Sequence, residues 1–308
     1  MRKMFSLPSE NQTTDLALYV WEAQQPVAVM QLIHGMAEYA TRYEPFIQEM
    51  NRHHITVIAH DHVGHGQSVN PSKKEYGFFA EKQPEHVIIS DIIHVAQVAK
   101  EAYPDLPFIA LGHSMGSFAL RCTIEKAPSL YDGVILMGSG YFQPALFLGL
   151  PLVDLFDKWR PHAINRWIDA LTFGFYPLHY KHEPFDTHSW LSRDLDNRET
   201  FKKDPLLGFT FTNNGFYTLF HLVAHSNRTE WFEHYPTNFP TLIISGAEDP
   251  IGNYGKGITK VVRRLEEEGV RSLSFRLYDH ARHELLNEAI DQTVTNDVWK
   301  WIKNNILD

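Results

Sequence analysis

Short apolar, β-branched runs alternate with longer amphipathic stretches along most of this chain, and that alternation limits the folds open to it more than any other feature. Val27–Ile33, Ile55–Ala59, Phe108–Leu111, Val134–Met137, Leu242–Ser245 and Leu273–Tyr278 read as strands. Pro45–His53, Glu85–Ala102, Met115–Lys126, Gly257–Glu268 and Glu284–Ile306 read as helices. Strand then helix, repeated, implies an α/β architecture: a mostly parallel sheet with helices on both faces, since each parallel crossover must pass over one face. The 308 residues suffice for one such core carrying an insertion.

The rhythm breaks between residues 141 and 235, where helical pieces are short and Pro144, Pro151, Pro161, Pro177, Pro184 and Pro205 interrupt them. The expected organisation is therefore a core of residues 1–140 and 236–308 with a helical cap, or lid, of 141–235. The cap segment holds 21 of the chain's 40 aromatic residues, among them Phe142, Phe147, Trp159, Trp167, Phe173, Phe175, Tyr176, Phe209, Phe211, Phe216 and Phe220. Such density suits an apolar ligand cavity, although most of these rings are expected to hold the small subdomain together.

A formal charge of −9, with no basic run, argues against nucleic acid as a partner. The single cysteine, Cys122, excludes an intramolecular disulfide, and Met1-Arg2-Lys3 leads into Ser6, Pro8 and Ser9 without an apolar signal core. A cytoplasmic location is expected. Gln143, Pro144, Pro151 and Asp154 interrupt the most apolar stretch, 141–156, so no bilayer span is expected; transient contact of the cap with a membrane surface stays open.

Gly112-His113-Ser114-Met115-Gly116 has the form G-x-S-x-G and lies between the strand Phe108–Leu111 and the helix opened by Met115, the strand–turn–helix context that presents a nucleophilic serine. Side chains at 112 and 116 would collide with the neighbouring helix and strand, and the turn holds Ser114 in a strained conformation at a helix N-terminus. A serine nucleophile needs a general base, and the base needs a carboxylate to fix its tautomer. The loop after Leu242–Ser245 supplies Glu248 and Asp249, and the loop after Leu273–Tyr278 supplies His280 and His283. Asp249 is preferred for its shorter reach, and His283 for its place at the mouth of the final helix. After Val27–Ile33 comes His34-Gly35-Met36-Ala37-Glu38, a turn of the kind that lends the second oxyanion donor. The backbone N–H groups of Met36 and Met115 are assigned to that hole, each worth about 3 kcal/mol of transition-state stabilisation.

Taken together, His34-Gly35 with Glu38 and Arg42-Tyr43, the run from Ala59 to Ser68, Gly112 to Gly116, Asp249-Pro250, and Ala281-Arg282-His283-Glu284 with Asn287-Glu288 resemble the monoglyceride lipase and lysophospholipase group of α/β-hydrolases, also described as the serine aminopeptidase S33-like group. The resemblance implies the α/β-hydrolase fold with an inserted helical cap. It further implies hydrolysis of small-molecule single-chain lipid esters without a cofactor, with Ser114, Asp249 and His283 as the triad. It also places Glu38, Arg42 and His113 near the polar head of the substrate. Three positions depart from the group: Ala37 and His280 stand where glycine is common, and Ser117 stands where a second glycine usually follows the elbow.

Other readings remain. His60, Asp61, His62 and His65 have metal-ligand spacing, but Gly64 and Gly66 read better as a buried hydrogen-bonded turn, so no metal is expected. A short-chain carboxylesterase, an aminopeptidase using Glu38 to hold the substrate amine, and a non-catalytic binding module on the same scaffold are the alternatives.

Overall fold

The computed structural model describes all residues except Met1, Pro71, Phe142, Gln143, Lys181 and Pro184; the side chains of residues 144–148 are likewise left out of the account. The chain forms, in order, β1 (Arg2–Pro8), β2 (Asp15–Trp21), β3 (Ala28–Ile33), α1 (Glu44–Arg52), β4 (Ile55–His60), α2 (Pro84–Ala102), β5 (Phe108–His113), α3 (Met115–Lys126) and β6 (Gly133–Met137). Then follow α4 (Pro144–Trp159), α5 (Arg166–Phe173), α6 (Leu195–Lys203), α7 (Asn213–His225), α8 (Thr229–Glu233), β7 (Thr241–Gly246), α9 (Lys256–Glu267), β8 (Leu273–Tyr278) and α10 (Asp291–Ile302).

All six expected strands are present, joined in one eight-stranded sheet of order β1-β2-β4-β3-β5-β6-β7-β8. The added pair, β1 and β2, is an antiparallel hairpin on the edge of an otherwise parallel sheet. Nearly all of β1 is exposed, so it carries no alternating burial signal; β2 is an apolar run that is legible as a strand only once its partner is known.

Successive residues of the central strands feed opposite layers, as strand geometry requires. In β5, Phe108 and Ala110 join the core shared with α2, α3 and α9, while Ile109 and Leu111 join the core shared with α1 and α10. The chain runs from β3 to β4 on one side and then to β5 on the other, so the crevice at the carboxyl ends of β3 and β5 is the switch point where open α/β sheets bind ligands.

Between β6 and β7 the chain makes only helices and turns among its described residues, apart from a single bridge between Ile164 and Thr212. This insertion does not stand apart. Phe211, Phe216, Leu222, Trp231, Phe232 and Tyr235 belong to the same buried cluster as α2 and α3.

One boundary is corrected. The final helix begins at Asp291, not Glu284, and a 3-10 turn, Leu285–Asn287, precedes it. Tertiary bonds displace the first helical turns: Glu284 N donates to Leu191 O (2.9 Å), and the Glu288 carboxylate accepts from the backbone N–H groups of Arg193 and Arg282.

Candidate active site

Ser114 lies between β5 and α3 with φ 53° and ψ −121°, a left-handed strained backbone for a residue with a Cβ. The turn is over-determined. Ser114 N donates to Met137 O on β6 (3.0 Å), a Cβ on Gly112 would lie 2.6 Å from the Gly116 oxygen, and one on Gly116 would overlap the carbonyls of Ile33 and His34. Ser117, the departure from glycine, is fully buried and donates its hydroxyl proton to Ser114 O (2.6 Å), so the larger side chain is satisfied inside the turn.

Asp249 is fully buried in the loop after β7; its Oδ1 accepts from Ile251 N (2.8 Å) and its Oδ2 lies 3.0 Å from His283 Nδ1. Its neighbour Glu248 instead pairs with Arg193 and Arg282. The two histidines also separate. His283 is 3% exposed and lines the same cavity as Ser114, whereas the His280 side chain is 82% exposed and sits beside Arg193. His280 has φ 57°, which accounts for the glycine common there. The His283 ring packs against His113 (4.9 Å between centroids) and Trp190 (5.3 Å), and its Nε2 has no protein partner among the described residues.

The loop after β3 carries a buried polar network. Glu38 Oε1 accepts from Gly35 N (2.5 Å) and Tyr43 OH (2.7 Å) and lies 3.1 Å from His113 Nδ1. Arg42 donates to Glu38 Oε2 (3.1 Å), to both oxygens of Glu284 (2.7 Å each) and to Asn197 Oδ1 (2.8 Å). Burial alone would raise the Glu38 carboxyl, but the His113 hydrogen bond and the charges of His113 and Arg42 outweigh it and hold the group well below the usual carboxylate range. For His113, burial is outweighed by Glu38 and Glu284, and its pKa is raised. Glu38 and His113 line the cavity; Arg42 stands behind Glu38 and does not. Ala37 takes φ 51°, the reason glycine is common at that position. Met36 and Met115 both line the cavity, and neither backbone N–H has an acceptor among the described residues.

The cavity holds about 500 Å³. Of the insertion's aromatic residues named above, Phe173, Tyr176, Phe209 and Phe220 line it, as do Tyr141, Phe185, Trp190 and Phe201; Phe211 and Phe216 are buried in the shared core, and Trp159, Trp167 and Phe175 are exposed. Phe142 and the side chain of Phe147 lie outside the described residues. Sequence reasoning missed Trp190, which stacks on Phe173 (5.7 Å) and touches His283; nothing local marks it. Glu284 and Asn197, which hold Arg42, were missed as well, although Glu284 adjoins His283 in sequence.

The group His60, Asp61, His62 and His65 is buried, and Asp61 accepts from Ala40 N (2.8 Å), Gln67 N (2.8 Å) and Tyr19 OH (3.1 Å). Burial pushes His60 down to about 3 and His65 to about 4, so both rings are neutral near pH 7. No three His, Cys, Asp or Glu side chains are arranged to hold a metal among the described residues. Nor is any described helix long and apolar enough to cross a membrane.

The chain as a whole is similar to known proteins. The sequence profile of the serine aminopeptidase S33 family matches residues 24–290. The chain belongs to this family of α/β-hydrolases. A monoacylglycerol lipase of Mycolicibacterium smegmatis is 26% identical over 290 residues, 93% of this chain and 92% of that one. Human monoglyceride lipase is 28% identical over 182 residues, 59% of this chain and only 53% of the human protein. Among solved structures, a thermostable carboxyl esterase of Bacillus coagulans in complex with glycerol is 26% identical with a TM-score of 0.93, and the match covers 99% of each chain.

Proposed function

We propose that this family member is a serine hydrolase that cleaves carboxylic esters of single-chain lipids through an acyl-enzyme on Ser114. One observation carries the reading: a serine in a strained elbow shares an aromatic-lined cavity with a histidine whose Nδ1 meets a fully buried carboxylate. Ser114 Oγ attacks the ester carbonyl while His283 takes its proton through Nε2 and passes it to the leaving alcohol. Asp249 fixes the tautomer that leaves Nε2 free and stabilises the imidazolium. The N–H groups of Met36 and Met115 receive the developing oxyanion, water releases the fatty acid, and no cofactor takes part. Glu38 and His113 contact the alcohol end of the substrate, and Arg42 acts on it only through Glu38. The relatives named as monoacylglycerol and monoglyceride lipases support the choice of substrate class.

An aminopeptidase would need a carboxylate free to hold the substrate amine. Glu38 does not meet that need, since Arg42, Tyr43, His113 and Gly35 already occupy its oxygens. The insertion also presents exposed Leu155, Trp159, Ile164, Trp167, Leu171 and Phe175, a set suited to brief contact with a lipid surface, from which a monoacyl ester would enter the cavity.

The deciding test is fatty-acid release from a monoacylglycerol, a lysophospholipid and a short nitrophenyl ester by the native protein and by Ser114→Ala. A loss of about 10⁴-fold or more in the variant is expected, with the monoacylglycerol preferred. Equal, low activity in both proteins would favour the binding-module reading, and preference for the short ester would leave a general esterase.

A further inference from the structure

Arg121, in the second turn of α3, is fully buried, and among the described residues no carboxylate pairs with it. Its Nη1 donates to Gly140 O (3.0 Å), and its Nη2 donates to Ser226 O and, at 3.5 Å, to Asn227 Oδ1. The guanidinium carbon lies 4.2 Å from the ring centre of Trp231, whose Nε1 donates back to Arg121 O (2.8 Å). Arg121 Nε has no partner among the described residues. Gly140 lies just after β6, where the insertion begins, and Ser226–Asn227 is the turn between α7 and α8. One side chain on the helix that starts at Ser114 thus ties the entry of the insertion to the turn after α7.

The residues beside these two points also form a wall of the cavity. Phe118, one turn before Arg121 and 5.9 Å from its guanidinium, lines the cavity, as do Gly140, Tyr141 and Val223. The Val223 carbonyl in turn accepts from Asn227 Nδ2 (2.8 Å) and Ser226 Oγ (3.1 Å). A buried cation without a counter-ion is costly, and an apolar side chain of similar volume would fill the space at lower cost. Burial pushes the Arg121 pKa down to about 9, which still leaves the group protonated at neutral pH. What arginine adds is a rigid fork that reaches two separate carbonyls from two nitrogens at once, a geometry that the single nitrogen of lysine does not reproduce.

We infer that Arg121 is the positioning residue for acyl-chain length: by tying Gly140 to Ser226 it fixes the wall formed by Phe118, Tyr141 and Val223 and so sets how long a chain the cavity accepts. The inference rests on the ester-hydrolase reading. An acetyl group at Ser114 does not need that wall, whereas a long acyl chain lies against it.

The experiment measures kcat and KM separately for nitrophenyl esters from acetate to palmitate, with native protein, Arg121→Met and Arg121→Lys. Thermal unfolding and labelling of Ser114 by a fluorophosphonate report the folded, reactive fraction. For the labelled fraction, acetate turnover is expected within about twofold of native. Long-chain kcat/KM should fall by about tenfold, mainly through KM, with the preferred length displaced; tenfold is about 1.4 kcal/mol, or roughly two buried methylenes. Arg121→Lys keeps the charge and loses the double contact, so it should show the same displacement in smaller degree, and it carries the test if Arg121→Met does not fold. An unchanged chain-length profile in either folded variant, or an equal loss at every length, would overturn the inference. Absence of Ser114-dependent turnover of any ester by the native protein would instead overturn the reading on which it rests.

Discussion

The two sides of the cavity are held by different kinds of contact. On the sheet side every loop that carries a site residue is tied by directional polar bonds: Ser114 N to Met137 O, Ile251 N to Asp249, Gly35 N to Glu38, and Arg42 to Glu284. On the insertion side polar ties such as those of Arg121 and Arg282 are joined by rings packed on rings, as where Trp190 meets Phe173 and Tyr176 (5.7 and 5.6 Å) and Phe209 meets Phe211 (6.0 Å). Directional bonds place atoms to a fraction of an ångström and fail sharply when one partner is lost. Apolar contacts define a volume and tolerate change by degrees. On the proposed function, chemistry would belong to the sheet edge and choice of ligand to the insertion.

The sharpest break of that contrast is at Asp249. Asp249→Asn keeps the shape of the loop but cannot fix the required His283 tautomer, and kcat should fall by about 10³–10⁴-fold with little change in KM. Glu248→Gln, one residue away but engaged with Arg193 and Arg282, should stay within several-fold of native. Comparable losses in the two variants would mean that the loop as a whole matters and the Asp249–His283 contact does not.

A second break concerns stability. A methyl group at Gly116 would overlap the carbonyls of Ile33 and His34, so α3 would have to move away from β3. Gly116→Ala should cost on the order of 2–4 kcal/mol in denaturant unfolding. A change below about 0.5 kcal/mol would mean that the elbow has slack.

These particulars also explain what was legible in the sequence. The elbow was readable because its constraint is local: two glycines flank a serine between a β-branched run and a helix. Asp249 and His283 were readable as strand-end residues, since the runs before them are short and apolar. The β1–β2 hairpin was not, because an exposed edge strand lacks alternation, and the start of α10 was misplaced because Glu284 and Glu288 bind residues of the insertion remote in sequence. The resemblance put Arg42 with Glu38 and His113 at the substrate head; only the fold places its guanidinium behind Glu38, held by Asn197 and Glu284. Trp190 and Arg121 are placed by contacts that no local pattern encodes.

One polar fastening of the core should make stability depend on pH. Asp91 on α2 accepts from Ser9 Oγ and Glu10 N (2.8 Å each) at the hairpin, and burial pushes its carboxyl up to about 7. Between about pH 4 and 7 the folded chain keeps a proton that the unfolded chain has lost. The contribution is full below about pH 4 and disappears as pH rises to 7, so stability falls with pH by up to about 1.4 kcal/mol per unit from this group. Asp91→Asn mimics the protonated acid and should flatten that slope while raising stability near pH 8; urea titrations at pH 5, 6.5 and 8 would measure it, and an unchanged slope would remove Asp91 as its source.

The smallest effect expected belongs to the outer surface of the insertion. Trp159 and Trp167 are 72% and 73% exposed, and neither lines the cavity. Replacing both by serine should leave stability within about 0.5 kcal/mol and turnover of a soluble acetyl ester unchanged. If the insertion touches lipid, each indole removes apolar area from water there, and about 1.5 kcal/mol per ring is enough to weaken vesicle binding by tenfold or more. Sedimentation with phosphatidylcholine vesicles would read that loss directly. Equal vesicle binding by the native and doubly substituted proteins would assign the exposed rings no part in lipid contact, and the contrast between the two sides would then reduce to the cavity wall alone.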